Sequence, residues 1–358
     1  MSEGKKLEKI AKKVAEEKPL SRDEGLMLLH CEDIFFLGGL ANIIREKKNG
    51  NYTHYNINAH INPSNVCIND CLFCAFSRTV DDPKAYDLSL EEILSNIEKV
   101  ITPRTTELHI VGGVHPTKDL RFYAALLSTL RKLYPAIQLK AFTATEIDQM
   151  AKLSGVSVEE ALKELKISGL VSLPGGGAEI FSPRVRAKVC PKKISGERWL
   201  EIHRIAHSLG IKSNATMLYG HIETNEERVD HLLRLREIQE KTNGFQAFIP
   251  LPFHPQNNPL GGIETTGLLD IRVHAVSRII LDNVDHIKAY WVMTGTEMAQ
   301  VLQTFGVDDL DGTVTEEKIT HAAGATTPSH LDEAHIRHLI SSAGRIPVER
   351  DTLYNRIG

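Results

Sequence analysis

Eight short runs rich in β-branched and aromatic residues, separated by stretches of helical period, constrain this chain more than any other feature. They are residues 53–61, 107–113, 138–145, 169–175, 212–220, 245–253, 286–293 and, least distinctly, 306–312. This rhythm predicts a parallel sheet, because parallel neighbours need a long return connection, and such crossovers are nearly always right-handed. Helix starts fall where the scheme needs them: Ser89 with Glu92, Ser157 with Glu160 and Thr224 with Glu227 each read as a capping box. Eight βα units close on themselves. The expected fold is therefore α/β, a (β/α)8 barrel of the TIM type over residues 51–323, with an N-terminal helical extension over 1–50 and a helical C-terminal tail over 324–358 packed on the barrel. A length of 358 residues suits one such barrel, and no repeat or Ser/Gly-rich linker divides it.

Composition removes whole classes of function. An apolar fraction of 42% and a charged fraction of 25% are those of an ordinary globular protein. The formal charge of -4 offers no field that would recruit nucleic acid or anionic lipid. No apolar run is long enough to span a membrane, and the charged amino terminus lacks the apolar core of a signal peptide. Five cysteines, three of them clustered, do not form the paired framework of a secreted domain, so a cytoplasmic location is expected.

The clustered cysteines lie in "HINPSNVCINDCLFCAFSR", His60 to Arg78. Cys67, Cys71 and Cys74 have the spacing C-x3-C-x2-C just after the first strand, at the barrel face where function resides. Asn65, Asn69 and Asp70 favour a loop, in which three thiolates can converge. Thiolates suit zinc or an iron-sulfur cluster. With Cys31 and Cys190 remote in sequence, His60 is the residue that would complete a Cys3His zinc site; a four-iron cluster on three thiolates would leave one iron open.

C-x3-C-x2-C with Phe73 before the last cysteine, following the first strand of a βα barrel, resembles the signature of the radical S-adenosylmethionine enzymes. The resemblance implies a 4Fe-4S cluster held by Cys67, Cys71 and Cys74, its fourth iron open to S-adenosylmethionine, whose reductive cleavage yields a 5'-deoxyadenosyl radical. It also implies cofactor contacts: Gly112 and Gly113 of "VGGVHP" at the methionine amine, Glu179 of "PGGGAEI" at the ribose hydroxyls, Arg184 or Arg186 at the methionine carboxylate, and Met217 and Tyr219 beside the adenine. The plain alternatives are a strand-to-helix turn for the glycines, a surface salt bridge for the arginines and core packing for Met217.

The stretches "HINPSNVC", "KAFTATEI", "LPGGGAEIF", "DDLDGTVTEEKI" and "PVERDTLYN" are most similar to the aminofutalosine synthases of that family, with the dehypoxanthine futalosine cyclases and the deazaflavin-cofactor enzymes as close relatives. This implies S-adenosylmethionine as a co-substrate, 3-[(1-carboxyvinyl)oxy]benzoate as the small-molecule substrate and a flavodoxin- or ferredoxin-type electron donor. Such a pocket must hold two carboxylates beside an apolar ring. The candidates at the strand ends are Arg78, Glu146, His254, Thr294 and Thr296, with an exposed charge or a helix cap as the alternative for each. A zinc-stabilised binding protein is the rival reading, and metal content separates the two.

Overall fold

The computed structural model describes residues 3–357, so residues 1–2 and 358 of the expected terminal segments lie outside it. Three helices, Glu3–Ala15, Arg22–His30 and Ile34–Asn49, come first, as expected for residues 1–50. Ten strands follow: β1 (Tyr52–Asn56), β2 (Asn58–Ile61), β3 (Glu107–Ile110), β4 (Gln138–Ala141), β5 (Leu170–Leu173), β6 (Lys212–Tyr219), β7 (Phe245–Pro252), β8 (His286–Ile287), β9 (Asp309–Gly312) and β10 (Ile346–Glu349). The three expected capping boxes form, and Ser21 with Glu24 and Thr143 with Glu146 add two more. No helix is long and apolar enough to cross a membrane among the described residues.

Strands β2 to β8 make one seven-stranded parallel sheet in sequence order. The expected eighth run behaves differently. β9 belongs to a separate three-stranded sheet, in the order β10-β1-β9, because the first run breaks at Ile57 into β1 and β2. Yet the same segment fills the seam of the large sheet: Asp309 bridges Lys288 on one side and Thr315 bridges Ala59 on the other. His60 N–H donates to the Thr315 carbonyl at 2.8 Å and Ala289 N–H to the Asp309 carbonyl at 2.9 Å. Gly312 makes this crossing possible, since a Cβ there would stand 2.1 Å from the Asn56 carbonyl oxygen.

Two other runs are shorter than expected. β4 stops at Ala141 because Thr143 already caps the helix Ala144–Ser154, and β8 stops at Ile287 because residues 291–294 turn into a helix. The tail expected to be helical contains the helix Glu333–Ser342 and then a strand, β10, which pairs with β1.

The barrel's lower interior is ionic. Lys140 Nζ lies 2.6 Å from Glu107, Lys288 Nζ 2.8 Å from Asp311, and Arg350 Nε 2.6 Å from Asp309, with every one of these side chains buried. Burial opposes the charge on Glu107, but Lys140 and Arg350 hold its carboxyl well below the usual range. Removing one member of such a pair strands the other charge in a medium that cannot solvate it. Arg350→Ala should therefore lower the unfolding free energy by about 3 to 5 kcal/mol in urea titrations. A loss under about 1 kcal/mol would mean that the tail does not anchor the barrel floor.

Candidate active site

The cysteine loop leaves the end of β2 and is folded tightly upon itself. Asn65 donates to the Lys84 carbonyl at 3.0 Å and accepts from the Tyr86 amide at 2.7 Å, and the Cys67 amide donates to the Arg78 carbonyl at 2.9 Å. The Arg78 guanidinium closes the loop by donating to the carbonyls of Ala75 and Ser77, at 2.8 and 2.7 Å. It clamps the loop and is not among the residues that line the cavity described below. Neighbouring loops hold the cysteine segment from three sides: Ile68 N–H donates to Val114, Leu72 N–H to Val189, and Leu260 N–H to Leu72.

Cys67 Sγ accepts from the amides of Val114 and Asn69 at 3.3 and 3.4 Å, and Cys74 Sγ from the Ser77 amide at 3.4 Å. Burial pushes the Cys71 thiol up to about 12, with Lys193 pulling the other way. Cys31 is packed in the hydrophobic core, and Cys190 is buried at the end of the helix Pro183–Val189.

Beside the loop lies a cavity of about 310 Å³, reached by the ends of the strands from β2 to β9. Gly112 lines it, its amide donating to Glu146 Oε1 at 3.0 Å. Gly113 does not; its missing Cβ would sit 2.1 Å from the Val66 carbonyl oxygen, so it is there to let the cysteine loop press on the end of β3. Residues 174–177 and Glu179 form the wall after β5. Glu179 adopts a φ of 48° and accepts from Lys193 Nζ at 2.6 Å.

The two arginines belong elsewhere. Arg184 is exposed and forks onto Glu227 at 2.9 and 2.7 Å, while Arg186 is buried and donates to the carbonyls of Ala178, Ile180 and Ile194. On β6 the parity is opposite to that expected: Thr216 and Leu218 face the cavity, whereas Met217 packs in the core and Tyr219 donates to Asp270 at 2.7 Å. Alternation along a strand forces that choice.

Of the substrate candidates, His254 lines the cavity and donates from Nε2 to the Met293 carbonyl at 2.9 Å. Glu146 lies just behind Gly112 and Thr143, accepting from the Thr143 amide and hydroxyl at 2.7 and 2.8 Å, so it both caps its helix and supports the wall. Thr294 bonds backbone carbonyls of its own helix turn, and Thr296 bonds Glu297; neither lines the cavity. The wall includes residues that motif reasoning passed over, among them His109, Asn214, Tyr290 and Lys193. Strand parity counted back from the cysteine loop was the signal available for His109, which stands opposite His60 in the β2–β3 register.

Residues 61–235 match the radical SAM superfamily, and residues 242–357 match the CofH/MqnC C-terminal region. The chain is 47% identical over 97% of its length to aminodeoxyfutalosine synthase from Thermus thermophilus, covering 95% of that protein, and 43% identical over 96% to aminodeoxyfutalosine synthase from Streptomyces coelicolor, covering 92%. The chain belongs to the radical SAM superfamily. It is a radical SAM enzyme of the group-transferring kind. It is also 41% identical, over 94% of its length and 88% of the relative, to 5-amino-6-(D-ribitylamino)uracil–L-tyrosine 4-hydroxyphenyl transferase 2 from Methanosarcina mazei. Methylornithine synthase shares the fold, with a TM-score of 0.75 at 17% identity over 94% of this chain and 97% of that one.

Radical SAM membership implies a 4Fe-4S cluster and S-adenosylmethionine, and three thiols carried by one loop suit such a cluster. Among the described residues the trio of ligand atoms within 4.8 Å of one another is His54, His286 and Asp308. That trio sits at the amino-terminal ends of the strands, where Asp308 is already engaged by Arg278 at 2.9 Å and His286 at 2.5 Å. The amide donors on Cys67 and Cys74 are of the kind that tune cluster sulfurs.

Replacing Cys67, Cys71 or Cys74 by Ala should abolish stoichiometric iron and sulfide in anaerobically reconstituted protein, while Cys31→Ala and Cys190→Ala should retain both. Iron retained by all three loop variants would remove the loop from the cluster. A second prediction concerns Glu146, whose burial outweighs its hydrogen bonds and lifts its carboxyl from 4.5 to about 7. Below about pH 4.5 it is protonated whether folded or not; between 4.5 and 7 only the folded protein keeps the proton, so stability falls as pH rises and then levels off. The decline should amount to about 3 kcal/mol and be absent from Glu146→Gln. Urea midpoints at pH 5 and pH 8 check it, and equal pH dependence in the two proteins would overturn it.

Proposed function

We propose that this protein is an aminodeoxyfutalosine synthase acting in the cytoplasm on the way to menaquinone. The observation that carries this reading is the 47% identity that runs through 97% of the chain and 95% of the Thermus thermophilus enzyme, C-terminal region included. Cys67, Cys71 and Cys74 would hold the cluster, which would supply the electron that cleaves S-adenosylmethionine, here consumed as a co-substrate, to methionine and the 5'-deoxyadenosyl radical. That radical would add to the enol-ether double bond of 3-[(1-carboxyvinyl)oxy]benzoate, and rearrangement, with loss of the enol-ether carboxylate as carbon dioxide and return of one electron, would give 6-amino-6-deoxyfutalosine. A flavodoxin- or ferredoxin-type protein is the electron donor.

The chain's own residues orient and shield. Gly112, the 175–177 turn, Glu179 and Thr216 make the wall for S-adenosylmethionine. Gly175 lets that turn lie directly on the backbone of Ala215, where any Cβ would come within 2.9 Å of three backbone atoms. Ile249, Leu251, Phe253 and Met293 make an apolar wall suited to a benzene ring and to excluding water from a radical. His254, fixed by Met293, stands at the rim of that wall.

The identity to the Methanosarcina mazei transferase favours a second reading, transfer of a 4-hydroxyphenyl group from tyrosine. One anaerobic experiment separates them. The reconstituted, reduced protein is incubated with S-adenosylmethionine and either 3-[(1-carboxyvinyl)oxy]benzoate or tyrosine plus 5-amino-6-(D-ribitylamino)uracil, and products are followed by mass spectrometry. A nucleoside carrying both adenosine and benzoate is the expected result. An adduct formed only from the tyrosine mixture would replace the proposal with the transferase reading, and release of free 5'-deoxyadenosine only in a third incubation, supplied with dehypoxanthine futalosine, would replace it with cyclase chemistry.

A further inference from the structure

The cavity contains a group of polar side chains that the protein itself leaves unmet. His60 and Asn214 are 5% and 3% exposed, and His60 Nε2 and Asn214 Oδ1 are buried with no hydrogen-bond partner. The His109 ring nitrogens and the Tyr290 hydroxyl, on the same cavity wall, have no protein partner among the described residues. His60 and His109 face each other in the β2–β3 register, their ring centroids 4.5 Å apart. An unmet buried polar group is destabilising. His60 Nε2 and Asn214 Oδ1 carry that penalty in the empty cavity, and an acceptor on a ligand removes the first.

The nearby charges are already neutralised from within. Asp311 is held by Lys288 at 2.8 Å, and Glu317 by His321 at 3.1 Å, so the wall presents neutral groups rather than a net charge. His60, His109, Tyr290 and the Asn214 Nδ2 are the donors from which a carboxylate can accept, Asn214 Oδ1 being itself an acceptor. The number of groups discriminates between ligands. A phenolic hydroxyl offers one donor and two lone pairs, whereas a carboxylate has about four lone-pair sites and accepts several hydrogen bonds in one plane. The neighbouring Ile249, Phe253 and Met293 supply the apolar surface that a ring attached to such a carboxylate needs.

We propose that His60, His109, Asn214 and Tyr290 form the subsite that takes the ring carboxylate of an aryl co-substrate. The assignment rests on the synthase reading for the identity of that co-substrate. It replaces Arg78, Thr294 and Thr296 as the groups that hold a substrate carboxylate. It makes the four residues determinants of which aryl compound meets the radical.

The test uses the reconstituted holoenzyme with S-adenosylmethionine, in wild-type form and as Tyr290→Phe, Asn214→Ala, His60→Leu and the conservative His60→Gln. Iron content and thermal midpoint verify that each variant is folded and loaded. Benzoate binding is measured by anaerobic calorimetry. Turnover is measured with 3-[(1-carboxyvinyl)oxy]benzoate and with the analogue that has hydrogen in place of the ring carboxylate. Loss of a hydrogen bond to a charged group predicts a KM raised about tenfold or more with kcat changed far less, and a preference for the ring carboxylate reduced by about the same factor, with His60→Gln recovering part of the loss. Wild-type adduct formation with unchanged KM and unchanged preference in the variants would overturn the subsite and leave the synthase reading standing. Absence of the adduct in wild type, with benzoate bound by wild type and lost in the variants, would overturn the synthase reading and leave the subsite standing. Absence of both would overturn both.

Discussion

Seven parallel strands cannot enclose a site unless something fills the gap between the last and the first. Here residues 309–315 fill it, bridging Lys288 through Asp309 and Ala59 through Thr315 while also pairing with β1. One short segment thus belongs to two sheets, and the close approach at Gly312, where the Asn56 carbonyl oxygen would meet a Cβ at 2.1 Å, is the condition for it. Everything that faces the cavity depends on that seam, because the inward side chains of β2, β3 and β6 converge only if the sheet curls round to meet β8. The tail reinforces the seam: β10 pairs with β1, and Arg350 reaches Asp309 within the same segment. Closure, floor and tail are parts of one arrangement.

The cysteine loop depends on a second close approach. Gly113 has the Val66 carbonyl oxygen where its side chain would be, and its amide donates to the Ser64 carbonyl at 2.8 Å. The end of β3 therefore serves as an anvil for the loop, and Gly112 beside it donates to Glu146, which in turn caps the helix after β4. Loop, strand end and helix start are joined by backbone contacts that no longer side chain could replace. A rigid scaffold of this sort holds the cysteine loop, through Cys74, against the cavity without relying on long, flexible side chains.

Much of this was legible in the sequence, and the exceptions have physical causes. The capping boxes at Ser89, Ser157 and Thr224 are local signals and formed where spacing placed them. The cysteine loop was legible from residue type and spacing together. Gly312 was not, since nothing in "DDLDG" says that one strand will serve two sheets. Met217 and Tyr219 were assigned by proximity to a strand end, but a strand shows alternate residues to opposite faces, and the inward set is Thr216 and Leu218. Arg184 and Arg186 carry the right chemistry for a carboxylate, yet sequence does not reveal prior engagements: Glu227 is both the capping acid of its helix and the partner of Arg184, and three carbonyls surround Arg186.

That pattern of prior engagement extends to the barrel interior and shapes what it can bind. Lys140 is paired with Glu107, Lys288 with Asp311, Arg350 with Asp309 and Lys193 with Glu179. Such pairing follows from the penalty of several kcal/mol for an uncompensated buried ion. An arginine waiting unpaired for a substrate carboxylate in this cavity would carry that penalty throughout the empty state. Neutral donors carry a smaller one, and they recover it when an acceptor arrives. The anionic ligand proposed for this wall would bring the unbalanced charge with it, so its recognition would rest on the number and direction of donors instead of on Coulomb attraction. Burial lowers the proton affinity of His60 and, more strongly, His109 in the empty cavity, and an anion beside them works in the opposite sense. The wall proposed for a substrate carboxylate thus stays neutral until an anion arrives, without the standing penalty that an unpaired arginine would carry.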